Sequence, residues 1–247
     1  MESIVRTKAL IVRTSSSGDN DRVLTAVSPE LGKISIIAKG VKSLKNKNST
    51  AAGILCYSDL VLKEGRELYS LVSAECAEGF YHLRDTVEGV AYGMYFASLL
   101  ESCTEKNIPA GEELRLTLNT LFALTKRPQD GAILKLVYEL RLAEVLGLAP
   151  YISEECQCGA QAQYLSISEG ETCCAAHKDQ SAVRLTTDEM TVLEYILTSE
   201  LKEALFFQSP PELVARLSAV SEKYLEFHLG RPPKTLAYLK NILKNPT

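Results

Sequence analysis

The first eighty residues alternate hydrophobic and polar positions in short runs, which is the pattern of β-strands. The runs cover residues 5–12, 23–27, 33–41, 55–62 and 67–76. Turn sequences separate them, among them Pro-Glu-Leu-Gly at 29–32 and Lys-Glu-Gly-Arg at 63–66. Five short strands joined by turns predict a small β-barrel. A five-stranded oligonucleotide-binding (OB) barrel and an SH3-like barrel both fit the number and length of the strands.

From about residue 84 the hydrophobic period becomes helical. Hydrophobic residues spaced by three or four positions include Val90, Met94, Ala97 and Leu100, and then Leu114, Leu118, Leu121 and Leu124. Asp130 is placed to cap a helix that Gly147 and Pro150 end. Further along, Thr186 and Glu189 form a predicted capping box for a helix. Its hydrophobic positions are Met190, Leu193, Ile196 and Leu201.

Two more helices are predicted near the end of the sequence. Pro210 and Pro211 start the first, because proline is favoured at the first helical position, and Gly230 stops it. The second carries Leu236, Leu239 and Leu243. The predicted fold class is therefore α+β. It consists of an OB-like barrel at 1–80 and an α-helical domain at 81–247, with a small insertion at 151–180.

Composition indicates a soluble globular protein, with 46% hydrophobic and 23% charged residues among 247. The sequence does not begin with a signal peptide, and no apolar run approaches the ~20 residues of a membrane helix. Seven cysteines, four of them clustered, argue against a secreted disulfide framework. We therefore expect a cytoplasmic protein without a membrane partner.

The formal net charge of −4 conceals a basic region at the beginning of the chain. The first fifty residues hold nine basic and four acidic residues, and no acidic residue lies between Lys33 and Lys47. A charge asymmetry of this kind points to an anionic partner for the basic part.

Lysines on a barrel strand and on the loop after it can contact the phosphates of DNA. The predicted contacts are Arg22, Lys33, Lys39, Lys42 and Lys45. The alternative is that these lysines only keep a surface loop hydrated and bind no ligand. The barrel strands hold Tyr57 and Tyr69, and the chain has no tryptophan. Electrostatic attraction would therefore dominate over base stacking, and sequence preference would be low.

Cysteine and histidine residues form two short knuckles between residues 156 and 177. The first reads Cys-Gln-Cys-Gly and the second reads Cys-Cys-Ala-Ala-His. Thiolate sulfur and imidazole nitrogen in this arrangement are typical ligands of a tetrahedral zinc ion. The predicted ligands of one structural Zn2+ per chain are Cys156, Cys158, Cys174 and His177.

Two alternatives remain open for this cluster. Cys173 competes with Cys174, although Cys174 has the two-residue gap to His177 that a zinc turn needs. The cysteines could also be free. A catalytic zinc is not expected, because four protein ligands would fill the site and there is no His-Glu-x-x-His sequence. The chain also has no Walker loop, dinucleotide fingerprint or nucleophile elbow, so no catalytic residue is predicted.

Four groups of residues, in order over nearly the whole chain, carry a resemblance. The first is Thr-Lys-Ala-Leu-Ile-Val at 7–12 with Asn-Asp-Arg-Val-Leu-Thr at 20–25, and the second is Glu-Leu-Gly-Lys at 30–33 with Ala-Lys-Gly-Val-Lys at 38–42. The third is Gly-Leu-Ala-Pro at 147–150 before the two knuckles, and the last is Phe-His-Leu-Gly at 227–230. Together they resemble the RecO family of bacterial DNA repair proteins. The one-residue gap of the first knuckle departs from that family's Cys-x-x-Cys and puts Cys156 in doubt as a ligand.

The resemblance implies an N-terminal OB domain, a helical domain and a zinc element. It also implies a recombination mediator that binds single- and double-stranded DNA and anneals complementary strands, without being an enzyme. Its implied partners are RecR, the C-terminal tail of the single-stranded-DNA-binding protein and, indirectly, the RecA recombinase. Such a protein would be associated with the nucleoid when bound to DNA. A rival interpretation is a zinc-containing protein-interaction adaptor without direct DNA binding.

The resemblance further implies a site for a partner tail that ends in acidic residues and a phenylalanine. Such a tail needs an apolar notch with a basic rim. The predicted basic residues are Arg216, Lys223, Arg231 and Lys234, beside the hydrophobic residues Leu213, Leu217, Val220 and Leu236. The same hydrophobic stripe could instead belong to the core.

Overall fold

The computed structural model describes residues 3–43, 45–230 and 233–244. The contacts divide the chain into two compact units. The first consists of Met1–Thr125 and Pro233–Thr247, and the second of Lys126–Pro232. The first unit is therefore discontinuous in sequence. The predicted domain boundary at residue 80 stays a prediction.

The first unit begins with a closed barrel of five strands. The strands are β1 (Ile4–Ser17), β2 (Asp21–Ser28), β3 (Gly32–Ala38), β4 (Tyr57–Lys63) and β5 (Tyr69–Glu78). Their order is β1-β2-β3-β5-β4, and β1 closes the barrel by pairing with β4. The β3–β5 pair is parallel and the other pairs are antiparallel. The predicted OB-like barrel is confirmed.

The barrel core consists of alternate residues from each strand. They include Ala9, Ile11, Leu24, Ala26, Ile34, Ile36, Leu60 and Leu62. Residues 9–12 of β1 are buried on both faces of the strand, and helix α1 (Val87–Cys103) contacts β1 and β2. Arg13 Nε donates to Glu101 Oε1 of this helix at 2.8 Å. Helix α1 is therefore fastened to the barrel by hydrophobic burial and by an ion pair.

The turn between β2 and β3 is fixed against the loop that precedes helix α2 (Gly111–Lys126). The backbone N–H of Lys33 donates to the Glu105 carbonyl at 2.9 Å, and the N–H of Asn107 donates to the Leu31 carbonyl at 3.1 Å. Gly32 lies between them with φ +64°, and a Cβ atom there would lie 2.1 Å from the Ile108 carbonyl oxygen. Glycine is therefore required at this turn.

The last helix, α7 (Lys234–Lys244), belongs to the first unit and packs against α1. Leu236 and Leu239 are its buried residues. Among the described residues of the whole chain, no helix is both long enough and apolar enough to cross a bilayer.

The second unit is built around helix α3 (Gly131–Val145), which is buried along most of its length. Helices α4 (Thr187–Thr198), α5 (Leu201–Phe206) and α6 (Pro211–Leu229) pack on it. A small antiparallel sheet consists of β6 (Tyr164–Ser166), β7 (Glu171–Cys173) and β8 (Val183–Arg184), in the order β7-β6-β8.

A buried ionic network joins α3 to α6. The Lys135 ammonium lies 2.8 Å from Glu139 Oε1 and 2.8 Å from Glu222 Oε1. The Ser221 hydroxyl donates to the second Glu139 oxygen at 2.5 Å. Burial lowers the pKa of Lys135, but the two carboxylates raise this pKa by a larger amount, so the net shift is upward. Lys135 is therefore charged in the core of this unit.

The helix ends that depend on local signals are where the sequence predicts them. Thr186 and Glu189 form the capping box of α4, with each side chain accepting from the other residue's backbone N–H, at 3.2 and 2.8 Å. Gly230 ends α6 with φ +81°. Asp130 precedes α3 as predicted, but its side chain makes no capping hydrogen bond. Its carboxylate pairs instead with Arg127.

The prediction that α4 continues to Leu201 is wrong, because the helix ends at Thr198. The Arg141 guanidinium of α3 donates to the carbonyls of Leu197, at 3.0 Å, and Ser199. A charged donor from another helix therefore satisfies carbonyls at the end of α4, and Ser199 turns to an extended conformation.

Candidate metal centre and nucleic-acid interface

The two cysteine knuckles flank the β6–β7 hairpin. The first is a tight turn in which the N–H of Cys156 donates to the Ala160 carbonyl at 2.8 Å, and the N–H of Gly159 donates to the Cys156 carbonyl at 2.8 Å. The second begins directly after β7, where the N–H of His177 donates to the Cys174 carbonyl at 3.2 Å. Both turns aim their side chains at one point. The structure therefore brings together Cys156, Cys158, Cys174 and His177.

Three separations between the ligand atoms match those of a tetrahedral zinc site. A zinc ion with Zn–S near 2.3 Å and Zn–N near 2.0 Å holds two sulfurs about 3.8 Å apart, and a sulfur and a nitrogen about 3.5 Å apart. The Sγ atoms of Cys158 and Cys174 are 3.8 Å apart. His177 Nδ1 lies 3.4 Å from Cys156 Sγ and 3.5 Å from Cys174 Sγ. All four ligand atoms lie within 4.8 Å of one another, so the cluster can hold a metal ion.

Hydrogen bonds to the thiols favour metal binding at two of the cysteines. The backbone of Cys158 first, then the backbone of Cys174 and the His177 side chain, lower the pKa of Cys156 to about 6. Burial raises the pKa of Cys174, but the backbones of Ala176 and His177 lower it, and the net shift is downward. Because the thiolate is the form that binds metal, these downward pKa shifts favour metal binding at Cys156 and Cys174.

Cys173 lies outside the cluster. It is the last residue of β7, where it pairs with Tyr164 of β6, and its side chain is buried. Burial raises the pKa of its thiol. Cys173 is buried against Cys156 and Cys174, but its sulfur is not among the four ligand atoms that the structure brings together.

Asp179 is a residue of this site that the sequence analysis missed. Its carboxylate accepts hydrogen bonds from Ser168, from Ser166 at 2.8 Å and from the Ser181 hydroxyl at 2.9 Å. These bonds, that from Ser168 above all, lower the pKa of Asp179 to about 2. The network ties the second knuckle to the β6–β7 turn. In the sequence, this network is visible only as the tripeptides Ser-x-Ser at 166–168 and Asp-x-Ser at 179–181.

Four of the predicted phosphate contacts lie at one end of the barrel. They are Arg22, Lys39, Lys42 and Lys45. In the strand register Arg22 lies opposite Ala38, so Lys39 follows directly beside it. Lys39 and Lys45 are exposed, whereas Arg22 and Lys42 are half-buried. We refer to these four residues as the barrel cluster.

The barrel cluster is attached to the turn between β1 and β2. Lys42 Nζ donates to the Gly18 carbonyl at 2.8 Å, and the N–H of Lys42 donates to the Asn20 carbonyl at 3.1 Å. The N–H of Gly40 donates to Asp21 Oδ1 at 2.7 Å. OB folds bind oligonucleotides with the loop between their first two strands, so the cluster lies where such a barrel contacts its ligand.

Lys33, the fifth predicted contact, is not part of this cluster. Lys33 lies at the other end of β3, about 20 Å from Lys39 at the usual rise per residue of a strand. Its Nζ donates to the Glu101 carbonyl at 2.9 Å, near the C-terminal end of α1. A lysine at a helix C-terminus stabilises the orphan carbonyls there. Lys33 therefore has a structural partner within the first unit.

The residues predicted to hold a partner tail make internal contacts on α6. Arg216 pairs with Glu189 of the α4 capping box and donates to the Arg184 carbonyl at 2.8 Å. Lys223 Nζ donates to the Ser181 carbonyl at 3.2 Å. Arg231 lies outside the described residues. In the hydrophobic stripe, Leu217 and Val220 are buried, as the core alternative required.

Arg216 also lines an open groove of about 610 Å³ within the second unit. Met190 and Leu185 give the groove an apolar floor, and Arg184 and the N-terminus of α4 contribute polar groups. The remaining wall comes from Gln161, Ala162 and Gln163, directly after the first knuckle. The groove therefore combines an apolar surface with two arginines, of which Arg216 is paired with Glu189 of the same lining.

Comparison with known proteins gives matches along nearly the whole chain. The family model described as "Recombination protein O N terminal" matches residues 1–80, and "Recombination protein O C terminal" matches residues 84–237. Similar proteins named DNA repair protein RecO come from Acetivibrio thermocellus, Alkaliphilus metalliredigens and Clostridium novyi. They are 27%, 28% and 26% identical to this chain, in that order. The alignments cover 96%, 92% and 98% of this chain, and 97%, 95% and 95% of the relatives.

Proposed function

The chain belongs to the RecO family of DNA repair proteins, and from this membership we propose that it is a non-enzymatic recombination mediator. In this proposal it binds single- and double-stranded DNA and anneals complementary strands at the nucleoid. With RecR it helps to load RecA onto DNA that is coated by the single-stranded-DNA-binding protein. The work is done by binding, so no catalytic residue is assigned.

The barrel cluster is the observation that carries the DNA-binding part of the proposal. Its four basic residues surround a turn that OB barrels use for nucleic acid. Lys42 uses one hydrogen bond for the Gly18 carbonyl, and an ammonium group has two more to donate. DNA phosphates accept hydrogen bonds from ammonium groups whatever the neighbouring base. We therefore propose that DNA binding has low sequence preference and depends strongly on salt.

A fluorescence titration of a labelled oligonucleotide at two salt concentrations tests this part. Replacement of Lys39, Lys42 and Lys45 with Ala should weaken binding, and the slope of log affinity against log salt should fall by up to about 0.7 for each lost contact. The control replaces Lys106, Arg115 and Lys202, which are exposed, carry the same total charge and have acidic sequence neighbours. Equal affinity and slope for the wild type and the barrel variant would assign the lysines to a solvated loop.

We propose a structural zinc for the metal centre. Cys156, Cys158, Cys174 and His177 would hold it, and the ion would supply the crosslink that fixes the small sheet of the second unit. Four protein ligands leave no open position for substrate, so this centre is assigned no catalytic step.

The groove beside Arg216 supports the proposed contact with the tail of the single-stranded-DNA-binding protein. Its apolar floor suits an aromatic ring, and its arginines suit carboxylates. A titration of the tail peptide should therefore show weaker binding to Arg216→Glu than to the wild type. Because Arg216 also pairs with Glu189, Arg184→Ala is a second variant that leaves the capping box intact. Equal affinity for all three proteins would remove this groove from consideration.

The same two titrations separate the mediator from the adaptor interpretation. A protein that binds the tail peptide but shows no salt-dependent binding to the oligonucleotide would be an adaptor. The groove is the observation that favours this second candidate, since it does not depend on the barrel cluster.

A further inference from the structure

The end of the chain carries a second concentration of positive charge. After Glu226 the sequence holds four basic residues and no acidic one, although the net charge of the whole chain is −4. Three of these residues, Lys234, Lys240 and Lys244, lie on α7 and are exposed. The fourth, Arg231, is outside the described residues.

Helix α7 presents these lysines on one side. At 3.6 residues per turn, the three lysines and Tyr238 fall within an arc of about 160°, away from the buried Leu236 and Leu239. Tyr238 is 51% exposed and lies one turn after Lys234. We call these four residues the α7 basic face. It is about 15 Å long, which corresponds to about four nucleotides at the B-form rise.

The charge at the start of α7 does not stabilise the helix. Helices α2, α4 and α6 carry acidic residues in their first turn, as the helix dipole favours. Helices α3 and α7 have none there, and α7 begins with the basic residue Lys234. A bound anion would relieve the unfavourable position of this ammonium group at the start of a helix.

We propose that the α7 basic face is a second binding surface for single-stranded nucleic acid, beside the barrel cluster. The inference rests on the proposed DNA-binding function. The lysines would contact phosphates, and the exposed Tyr238 ring would stack on a base. Helix α7 and the barrel belong to the same compact unit, so one strand would contact both surfaces on a single body.

An anionic strand fits this face better than a membrane does. An interfacial helix needs a free apolar side, but the apolar side of α7 is covered by α1. The exposed tyrosine among lysines is the combination that single-strand binding surfaces use, in which charge follows the backbone and aromatic rings accept bases of any sequence.

The test is a fluorescence anisotropy titration of a labelled oligothymidylate with full-length protein. The variant replaces the three lysines with Gln, which keeps helix propensity. The slope of log affinity against log salt should decrease by up to about 2, with at least about a tenfold loss of affinity at low salt. The charge-matched control at Lys106, Arg115 and Lys202 should titrate like the wild type.

Tyr238 gives an independent measurement. Tyr238→Phe should bind like the wild type, and Tyr238→Leu should bind about tenfold more weakly, because stacking needs a ring but not a hydroxyl. Thermal unfolding of each variant checks that α7 is intact.

The outcomes distinguish this inference from the proposed function. If the wild type shows no salt-dependent binding, both fail. If the barrel variant loses affinity while the α7 lysine variant titrates like the wild type, this inference alone is overturned. The α7 basic face would in that case be left for an acidic protein partner.

Discussion

Gly18 and Gly32 have nearly the same backbone conformation but different surroundings. Their φ values are +66° and +64°, and a Cβ atom at Gly18 would meet nothing within 4 Å. Gly18→Ala should therefore cost only about 1–2 kcal/mol, the strain of a left-handed alanine. Gly32→Ala should cost at least about 3 kcal/mol, since the turn must also move away from the Ile108 carbonyl. Urea unfolding of both variants measures the difference, and equal costs would contradict the close approach at Gly32.

Cys173 and Cys174 are neighbours with different predicted roles in metal binding. Cys174→Ala removes a ligand atom from the cluster, so zinc retained after dialysis should fall from about one per chain to near zero. Cys173→Ala removes a buried thiol outside the cluster and should leave the zinc content unchanged. Metal analysis of both purified proteins decides between them. Loss of zinc in Cys173→Ala, with retention in Cys174→Ala, would reverse the assignment.

At the residue scale, the sequence predicted the members of the metal cluster but not its support. The spacing of two knuckles is a local signal, and the four residues that it indicated are brought together. Asp179 was missed because its partners come from two separate segments, and a carboxylate that accepts from serines has no characteristic spacing. The location of Lys33 was missed for a similar reason, since its partner is a carbonyl of α1.

The α3–α6 interface depends on the pairing of a buried lysine. Lys135→Met leaves Glu139 and Glu222 without their cation in the core, and should cost about 3–5 kcal/mol. The exposed Lys202→Met on α5 is the matched control and should change stability by less than about 0.5 kcal/mol. Chemical denaturation measures both. Equal stabilities would show that the ionic network contributes nothing net.

The same pair of proteins gives a pH dependence with a defined sign. The pKa of Lys135 is raised above its ordinary value of 10.5 in the folded protein. Its stabilisation is therefore complete below that pH and is lost as the pH rises through the folded pKa. Above pH 10.5 the difference in stability between the wild type and Lys135→Met should therefore shrink as the pH rises. A difference that grows with pH in this alkaline range would exclude this account.

Removal of the proposed zinc should act on the small sheet of the second unit. The sheet of β6, β7 and β8 has strands of only two or three residues, too few to be stable alone. Chelation should therefore increase hydrogen exchange across residues 151–180, while the barrel strands keep their protection. Unchanged exchange in that segment would show that the sheet does not depend on the ion.

At the element scale, the sequence predicted the helix ends that are set by residues within one turn. It did not predict the helix end that is set by a residue distant in sequence. The α4 capping box and the stop at Gly230 involve residues within one turn of each other, and both were predicted. The end of α4 at Thr198 depends on Arg141, more than fifty residues earlier in the sequence. A hydrophobic period shows which face of a helix is buried, but not which donor will interrupt it.

The discontinuous first unit leads to a prediction about truncation. Deletion of residues 233–247 removes Leu236 and Leu239, whose burial contributes about 1.5–3 kcal/mol each, and uncovers the α1 surface beneath them. We expect greater binding of a hydrophobic dye and faster proteolysis within α1. The control is the lysine-to-glutamine variant of α7, which keeps both leucines. Identical behaviour of the truncated and full-length proteins would show that α7 does not hold the unit together.

At the scale of the whole molecule, the sequence predicted the class of fold. It did not predict that the segment with α7 belongs to the first unit. Strand number and alternation were enough to predict a five-stranded barrel, although they fitted an SH3-like barrel as well as an OB barrel. Most strands pair with a neighbour in sequence, and only the β1–β4 and β3–β5 pairs join strands that are farther apart. The partner of α7 lies more than a hundred residues away, and nothing in its periodicity distinguishes α1 from other apolar surfaces.

The position of α7 also sets the order in which the protein can be completed on the ribosome. The barrel and α1 emerge first, and about a hundred residues of the second unit follow before α7 leaves the exit tunnel. At a synthesis rate of about 5–20 residues per second, this delay is about 5–20 s, far longer than the formation of helices or hairpins. A nascent chain therefore carries a nearly finished first unit with one apolar stripe uncovered, and this stripe is where a chaperone would bind until α7 emerges.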